Sequence, residues 1–385
     1  MQNIKVKSLG PIEEADITFG DLTFFIGPQA SGKSLLLQMI KLAADKPYIA
    51  NRVKNYSYVW GTNEDDNLER FFGEGTAGIW NKRTAIKIDD VPYHKNSLLP
   101  NKPGSETGDK ETVFYIPAQR VVCLNYGWPR FFSDFEDSAP FVLRDFSETL
   151  RKYLDMGFGH RQSPVFPQSP ERVNGRLTDS FNESIFRGAE IMVEADIKKR
   201  LKLNINNVSL PFMAWSTGQK ESMPLLMGFY YLSPKSKGRR ADFDMVIIEE
   251  PEMGLHPEAI KSVILQIIEL MSRGYRVIVS THSPVFMEFA WAFNILKEAK
   301  ADDEALLELF NLHKDTTNEA LFKGVLNEKT VNTYFFDNVD FKVTVKNISG
   351  LDAGDADPAV AEWGGLSSFA SKANDIVATI AANNG

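Results

Sequence analysis

FFIGPQASGKSLLLQMI, residues 24–40, is the stretch that decides the fold. A short apolar run, Phe24, Phe25 and Ile26, stops at Gly27. The spacing G-x-x-x-x-G-K-S then runs through Pro28, Gln29, Ala30, Ser31, Gly32, Lys33 and Ser34, and from Leu35 the pattern is helical and apolar-rich. Strand, loop and helix are the context this spacing requires. Gly27 and Gly32 let the backbone curl so that successive N–H groups face one hollow, an anion nest. The helix beginning near Lys33 adds its positive end. Lys33 offers an ammonium to the outer phosphates of a nucleotide, and the Ser34 hydroxyl is a ligand for Mg²⁺. A glycine-rich turn before an ordinary helix has no need of these residues in this order, so nucleotide binding is the starting point.

Composition sets bounds. The 385 residues are enough for a large core and two or three lobes. Hydrophobic content of 43% and charged content of 24% are ordinary for a globular protein. No segment reaches the roughly 18 consecutive apolar residues of a membrane span, and MQNIKVKSLG lacks the apolar core of a signal peptide. A single cysteine, Cys123, excludes an intrachain disulfide. Together these features point to the cytoplasm, with no membrane partner. The net charge of −8 argues against a generally basic nucleic-acid coat, though not against a local basic patch.

Around the opening stretch, residues 3–8, 15–19 and 22–26 alternate as strands, with a turn at Gly10-Pro11. Residues 50–110 are rich in aromatics, Asn, Gly and charge, and read as a peripheral antiparallel β region, with 98–112 as an exposed loop. Residues 113–119 form a buried strand ending at Pro117-Ala118-Gln119. Residues 130–205 carry helical patterns, for example Phe141, Leu143, Phe146 and Leu150, then Ile185, Ile191 and Ile197, broken by a proline-rich loop at 163–170. A helix is expected over 216–232 and a basic loop at 235–240. Strand 245–248, helix 257–272 and strand 275–280 then form a parallel-sheet unit. The tail adds an amphipathic helix (Ala305, Leu306, Leu309, Phe310), strands at 331–336 and 340–346, and a helix around 367–382. No sustained heptads predict a long coiled coil.

Four further motifs bear on chemistry. Met245-Val246-Ile247-Ile248 delivers Glu249 and Glu250 to the C-terminal end of a strand, where α/β sheets bind ligands. The first carboxylate is placed to hold Mg²⁺ through water and the second to deprotonate or orient attacking water. Ser216-Thr217-Gly218-Gln219 opens a helix, and its exposed N–H groups make either an anion site or an ordinary N-cap. Thr281-His282-Ser283 follows a strand, where His282 is either a contact to a terminal phosphate or a structural residue. Gln119 ends its strand with a carbonyl that suits Mg²⁺ or water.

In chain order, GPQASGKS, YIPAQR, STGQ, EEPEMGLHP and STHSP resemble the ABC-type ATPase head. The similarity is to the branch shared with structural-maintenance-of-chromosomes, RecF-like and overcoming-lysogenization-defect proteins, and within it to the subfamily labelled AAA15 or AAA21. The tail WGGLSSFASKANDIV (363–377) resembles the same group. The resemblance implies an α/β ABC-ATPase fold: a RecA-like phosphate-loop core with an antiparallel β subdomain and a helical lobe. It also implies ATP and Mg²⁺ as ligands and head-to-tail pairing. ATP would lie between residues 27–35 of one chain and Ser216, Thr217, Gly218 and Gln219 of the other. Glu250 would be the catalytic base and His282 the switch histidine, with Ser34, Gln119 and Glu249 toward the metal. The family usually has Asp where this chain has Glu249.

The expected division is 1–129 as a phosphate-loop lobe with its antiparallel β region and 130–215 as a helical lobe. Residues 216–297 would carry the signature helix, acidic strand and switch histidine, and 298–385 a helical and β-hairpin extension. The preferred function is an ATPase whose ATP-dependent association regulates an effector, a nuclease or toxin, in anti-phage defence. No Toprim nuclease can be placed after His282, and Asp352, Asp355 and Asp357 read as a solvated loop. A RecF-like DNA-binding ATPase is the alternative, with Lys198, Lys199, Arg200, Lys202, Lys235, Lys237, Arg239 and Arg240 as its basic surface. A scaffold without hydrolysis and a transporter subunit are weaker readings.

Overall fold

The computed structural model describes residues 1–100, 110–158, 164–168, 175–195, 198–234, 239–240 and 242–383. Two compact units divide the chain: Met1–Ser34 with Asn81–Pro92 and Ile278–Gly385, and Leu35–Trp80 with Tyr93–Val277. Each unit draws on distant parts of the chain.

The first unit is built on hairpins. Asn3–Leu9 pairs antiparallel with Ile12–Thr18, in register from Asn3↔Thr18 to Leu9↔Ile12. Ile4, Val6, Ala15 and Ile17 are buried while Lys5, Glu14 and Asp16 face out, the period of two that a half-buried sheet imposes. Asp89 and Asp90, with φ of 49° and 62°, turn the chain between Trp80–Ile88 and Val91–Tyr93.

Val331–Val339 and Lys342–Asn347, the two strands expected in the tail, turn at Asp340 and Phe341 (φ 51° and 63°). Val331–Phe335 pairs in parallel with Leu22–Ile26, the phosphate-loop strand, and Val343 lies opposite Ile12. The strand order is Val91–Tyr93, Trp80–Ile88, Asn3–Leu9, Ile12–Thr18, Lys342–Asn347, Val331–Val339, Leu22–Ile26 and Arg276–Ser280. Leu22–Ile26 is therefore interior to the sheet, and all five of its residues are buried. The tail returns to it: a Cβ added at Gly364 (φ 62°) would stand 2.5 Å from Phe335 Cδ2 and 3.0 Å from Ile26 Cδ1. Only glycine allows that approach.

The second unit packs helices around the parallel strands Val113–Ile116 and Met245–Glu249, in register from Met245↔Val113 to Ile248↔Ile116. The helix Lys33–Asn55, whose first two residues belong to the first unit, kinks at Asp45 (φ −120°), two residues before Pro47. Proline lacks an N–H and its ring clashes with the preceding turn. The kink is put to use. The Asp45 carboxylate accepts from Thr112 N at 2.9 Å, Thr112 Oγ1 at 2.6 Å and Val113 N at 3.0 Å. It also accepts from Lys41 Nζ at 2.8 Å, and Lys41 further donates to Glu111 Oε1 and Val113 O, both at 2.6 Å. Burial opposes the Lys41 charge, yet Asp45, Glu111 and Asp145 hold it above its usual range. Burial pushes Glu111 up to about 7 against the pull of Lys41. Lys41→Met would strand these carboxylates in the interior. We expect it to lower unfolding stability in urea by about 3–5 kcal/mol, and a loss below about 1 kcal/mol would mean that water solvates the cluster.

Three local readings change. Residues 50–55 remain helical, and Glu64–Phe72 is a helix within the stretch read as β. Asn63 caps that helix, Glu64, Asp65 and Asp66 complement its positive end, and Leu68, Phe71 and Phe72 are buried. In 130–205 the helix Phe141–Phe158 stands as expected, with Phe141, Leu143, Phe146 and Leu150 buried. The stretch after Ala189, however, is a three-stranded meander: Glu190–Glu194, Arg200–Ile205 and Val208–Pro211. Ile191, Leu201 and Leu203 are buried at a period of two, not 3.6, and Asn206-Asn207 (φ 47° and 62°) make the tight turn. Ile197, Lys235, Lys237 and parts of the loops at 98–112 and 163–170 lie outside the described residues. Among the described residues no helix is long and apolar enough to cross a membrane. Asp352, Asp355 and Asp357 are exposed, as expected of a solvated loop.

Candidate functional site

In the first unit the strand Leu22–Ile26 ends at Gly27, whose φ of 143° no L side chain favours. A Cβ there would sit 2.7 Å from Phe336 O, so the glycine also answers to the hairpin strand beside it. Ala30 and Gly32 take positive φ, 58° and 85°, and a Cβ at Gly32 would meet Ile12 Cγ1 at 3.0 Å. Pro28, Gln29, Ala30 and Ser34 are exposed, while Ser31 and Lys33 are buried. The Lys33 ammonium donates to Gly27 O and Pro28 O, each at 2.8 Å, and lies 3.3 Å from Ser31 Oγ. The charge is thus held inside the curl of the loop. The helix starts at Lys33, which leaves its first N–H groups at the mouth of the same loop.

The second predicted element of this unit stands beside the loop strand. Thr281 N donates to Phe25 O at 3.1 Å, which sets the Thr281-His282-Ser283 turn against the end of the phosphate-loop strand. Ser283 N donates to Thr281 Oγ1 at 3.0 Å, and Ser283 Oγ caps the helix Pro284–Glu298 through Val285 N at 3.3 Å. Phe286 then packs on Phe24 with ring centroids 5.8 Å apart. His282 is half-buried at this fixed turn.

The second unit gathers the other motifs. The parallel strands Val113–Ile116 and Met245–Glu249 end side by side, followed by Pro117-Ala118-Gln119 and by Glu250. Gln119 is exposed. Glu249 is buried, and its Oε2 accepts from Ala118 N at 3.4 Å. Glu250 is half-buried with φ 41°, in the left-handed region. Ser216 and Thr217 are exposed. Ser216 forms a full capping box: its Oγ accepts from Gln219 N at 3.2 Å, and its N donates to Gln219 Oε1 at 3.1 Å. The ordinary cap is thus present, and the hydroxyl still faces solvent. The helix Thr217–Leu232 rests on the loop after the acidic strand, since a Cβ at Gly218 would stand 2.9 Å from Gly254 O. Gly254 takes φ 71°, and the chain enters the next helix at His256, with Pro257 in its first turn.

Arg120, passed over in the sequence reading, lies at the centre of this constellation. It is fully buried and donates to the backbone carbonyls of both Glu249 and Glu250. Its only sequence signal is its place directly after Gln119 in YIPAQR.

The basic surface is largely spoken for. Lys199 Nζ bonds Asp155 Oδ1 at 2.7 Å, and Arg200 and Lys202 both pair with Glu194. Arg239 pairs with Asp244 at 2.9 Å, and Arg240 stacks over Tyr231 at 3.9 Å. Such pairing weakens the field a phosphate backbone would feel.

The loop fits a nucleotide's phosphates: two glycines stand where a side chain would clash, and a cation points into the curl. Among the described residues no group of three or more His, Cys, Asp or Glu side chains could hold a metal ion.

A family profile described as "AAA domain, putative AbiEii toxin, Type IV TA system" matches residues 22–288. The chain is 20% identical over 333 residues to a protein named OLD nuclease from Thermus scotoductus (strain ATCC 700910 / SA-01), covering 75% of this chain and 60% of that one. It is 31% identical over 153 residues to the Old nuclease of Escherichia phage P2, covering 40% of this chain and 25% of that one. The match thus spans less than two thirds of either relative. Among solved structures, an Smc head bound to the C-winged helix domain of ScpA aligns at TM-score 0.44 and 12% identity, over 90% of this chain and 96% of that one. The dimeric ABC transporter cassette MJ0796 aligns at 0.34 and 12% identity, over 74% and 90%.

Proposed function

This chain belongs to the AAA-domain family whose profile covers residues 22–288, and from that premise we propose that it is an ABC-type ATPase. The observation that carries the proposal is the phosphate loop. Its two constrained glycines and enclosed Lys33 ammonium form a cradle for a polyphosphate. Gly27 to Ser34 and Leu35 bind ATP, with Lys33 against the outer phosphates. Ser34, Gln119 and Glu249 are the residues that would hold Mg²⁺, and the ion would supply charge neutralisation at the phosphates. The longer Glu249, in place of the usual Asp, is buried and fixed by Ala118 N, and contributes through water. Glu250 is the general base, and His282 senses the terminal phosphate.

Pairing completes the reading. Ser216, Thr217, Gly218 and Gln219 face solvent or lie close to it, and they cover the nucleotide of a second copy. ATP favours the closed pair and hydrolysis releases it, which is a population shift available to control an effector. The nuclease names of the relatives and the toxin–antitoxin description of the family support an effector of nuclease or toxin class; its place in anti-phage defence in the cytoplasm is part of the proposal. The paired state of the basic residues gives no comparable support to a DNA-binding ATPase.

The test compares the wild type with Lys33→Ala. The wild type should bind ATP with Mg²⁺ and hydrolyse it. Lys33→Ala should weaken binding at least about tenfold and reduce hydrolysis to background. Equal rates in the two proteins would remove the ATPase reading and leave a scaffold.

A further inference from the structure

We infer that Arg120 is a positioning residue that holds the backbone of Glu249 and Glu250, and so aims the Glu250 carboxylate. The inference rests on the ATPase reading for its consequence and on geometry for its mechanism. Arg120 is fully buried. Its Nη1 donates to Glu249 O at 2.8 Å and Pro117 O at 3.2 Å, and its Nη2 donates to Glu250 O at 3.2 Å. One planar guanidinium thus ties the ends of both parallel strands. It does so at the point where Glu250 enters the left-handed region (φ 41°), which side-chain residues seldom adopt without support.

The surroundings explain why an arginine stands there. Burial pulls the guanidinium below its usual range, while Glu221, Glu252, Glu249 and Glu250 pull it back up. Glu221 lies on the signature helix, and burial raises its carboxyl against the pull of Arg120. Arg120 therefore faces two elements, the acidic strand end and the helix that begins at the Ser216 cap. Gly218 and Gly254 bring those elements into backbone contact. A lysine would keep the charge but present a single nitrogen where the guanidinium reaches Glu249 O and Glu250 O from two.

Arg120→Lys separates the fork from the charge. The readouts are amide hydrogen exchange over residues 249–254, ATP binding, and kcat against KM. We expect a cooperatively folded protein with exchange over 249–254 faster by about tenfold, ATP affinity and KM within about threefold, and kcat lower by about tenfold or more. If Arg120→Lys does not fold, Arg120→Gln carries the same readouts with one donor group retained. Wild-type exchange and wild-type kcat in a folded variant would overturn the inference. So would a kcat loss without any change in exchange, because the carboxylate would then be aimed by something else. If the wild type and Lys33→Ala both lack hydrolysis, the ATPase reading fails, and exchange over 249–254 alone decides whether Arg120 holds the segment.

Discussion

Glu250→Gln will bind ATP as the wild type does and turn it over about 10²–10⁴-fold more slowly. The substitution keeps the size and shape of the side chain and removes its capacity to accept a proton. The backbone here is held by contacts that do not use the carboxylate: the strand Met245–Glu249 is buried, and the Glu250 carbonyl accepts from Arg120. The backbone at φ 41° is therefore kept by contacts that the amide does not disturb. The loss should fall on kcat, with KM little changed, as for a group that acts only in the transition state. With hydrolysis blocked, ATP should also trap the associated state, visible as an increase in mass by light scattering that requires Mg²⁺ and ATP. A Glu250→Gln protein with undiminished turnover would remove the carboxylate from the chemistry. One that binds ATP without any gain in mass would remove head-to-tail pairing. The trapped state is also the one in which to look for a co-purifying effector.

Ser216→Arg should do the reverse of a phosphate-loop mutation. It is expected to leave ATP binding within about twofold and take turnover to background, because in the proposed pair it faces the nucleotide of another copy. Ser216 is exposed at the start of its helix, so the larger side chain has room. The loss of the capping box costs about 1 kcal/mol, too little to unfold the unit. An arginine at that helix end obstructs an approaching phosphate surface. Mixing distinguishes this from a folding defect. Ser216→Arg and Lys33→Ala are each inactive alone, yet a mixed pair holds one intact phosphate loop facing one intact signature helix. Activity should return on mixing. A Ser216→Arg protein that is fully active as a monomer would refute the composite site.

The features legible in the sequence are those whose cause is local. The phosphate loop could be placed because its geometry follows from two glycines and a helix start. Gly27, Gly32 and Lys33 occupy the positions that spacing assigns them. The Ser216 cap, the acidic strand end and Pro257 in a first helical turn are likewise readable over a few residues. Where the reading failed, a weak local signal met a stronger or more distant one. Glu64–Phe72 was obscured by surrounding Asn, Gly and aromatic residues, although its cap and acidic first turn were in plain view. The strands after Ala189 read as helix only loosely: the six-residue intervals between Ile185, Ile191 and Ile197 fit a period of two, not 3.6.

Arg120 marks the boundary most sharply. Nothing in its immediate sequence says that it will be buried, or that its partners are carbonyls some 130 residues away. The same holds for the C-terminal hairpin, whose strands were legible while their place beside the phosphate-loop strand was not. By itself the sequence determined the nucleotide loop, the acidic strand end, the capped signature helix and the α/β class, since hydrophobic period, turn stereochemistry and capping act between near neighbours. Only the tertiary structure decided which strands flank Leu22–Ile26, how the chain divides into its two units, and which cation holds Glu250. Those depend on strand pairing and desolvated contacts between distant residues, and a one-dimensional pattern carries no record of which distant residues will meet.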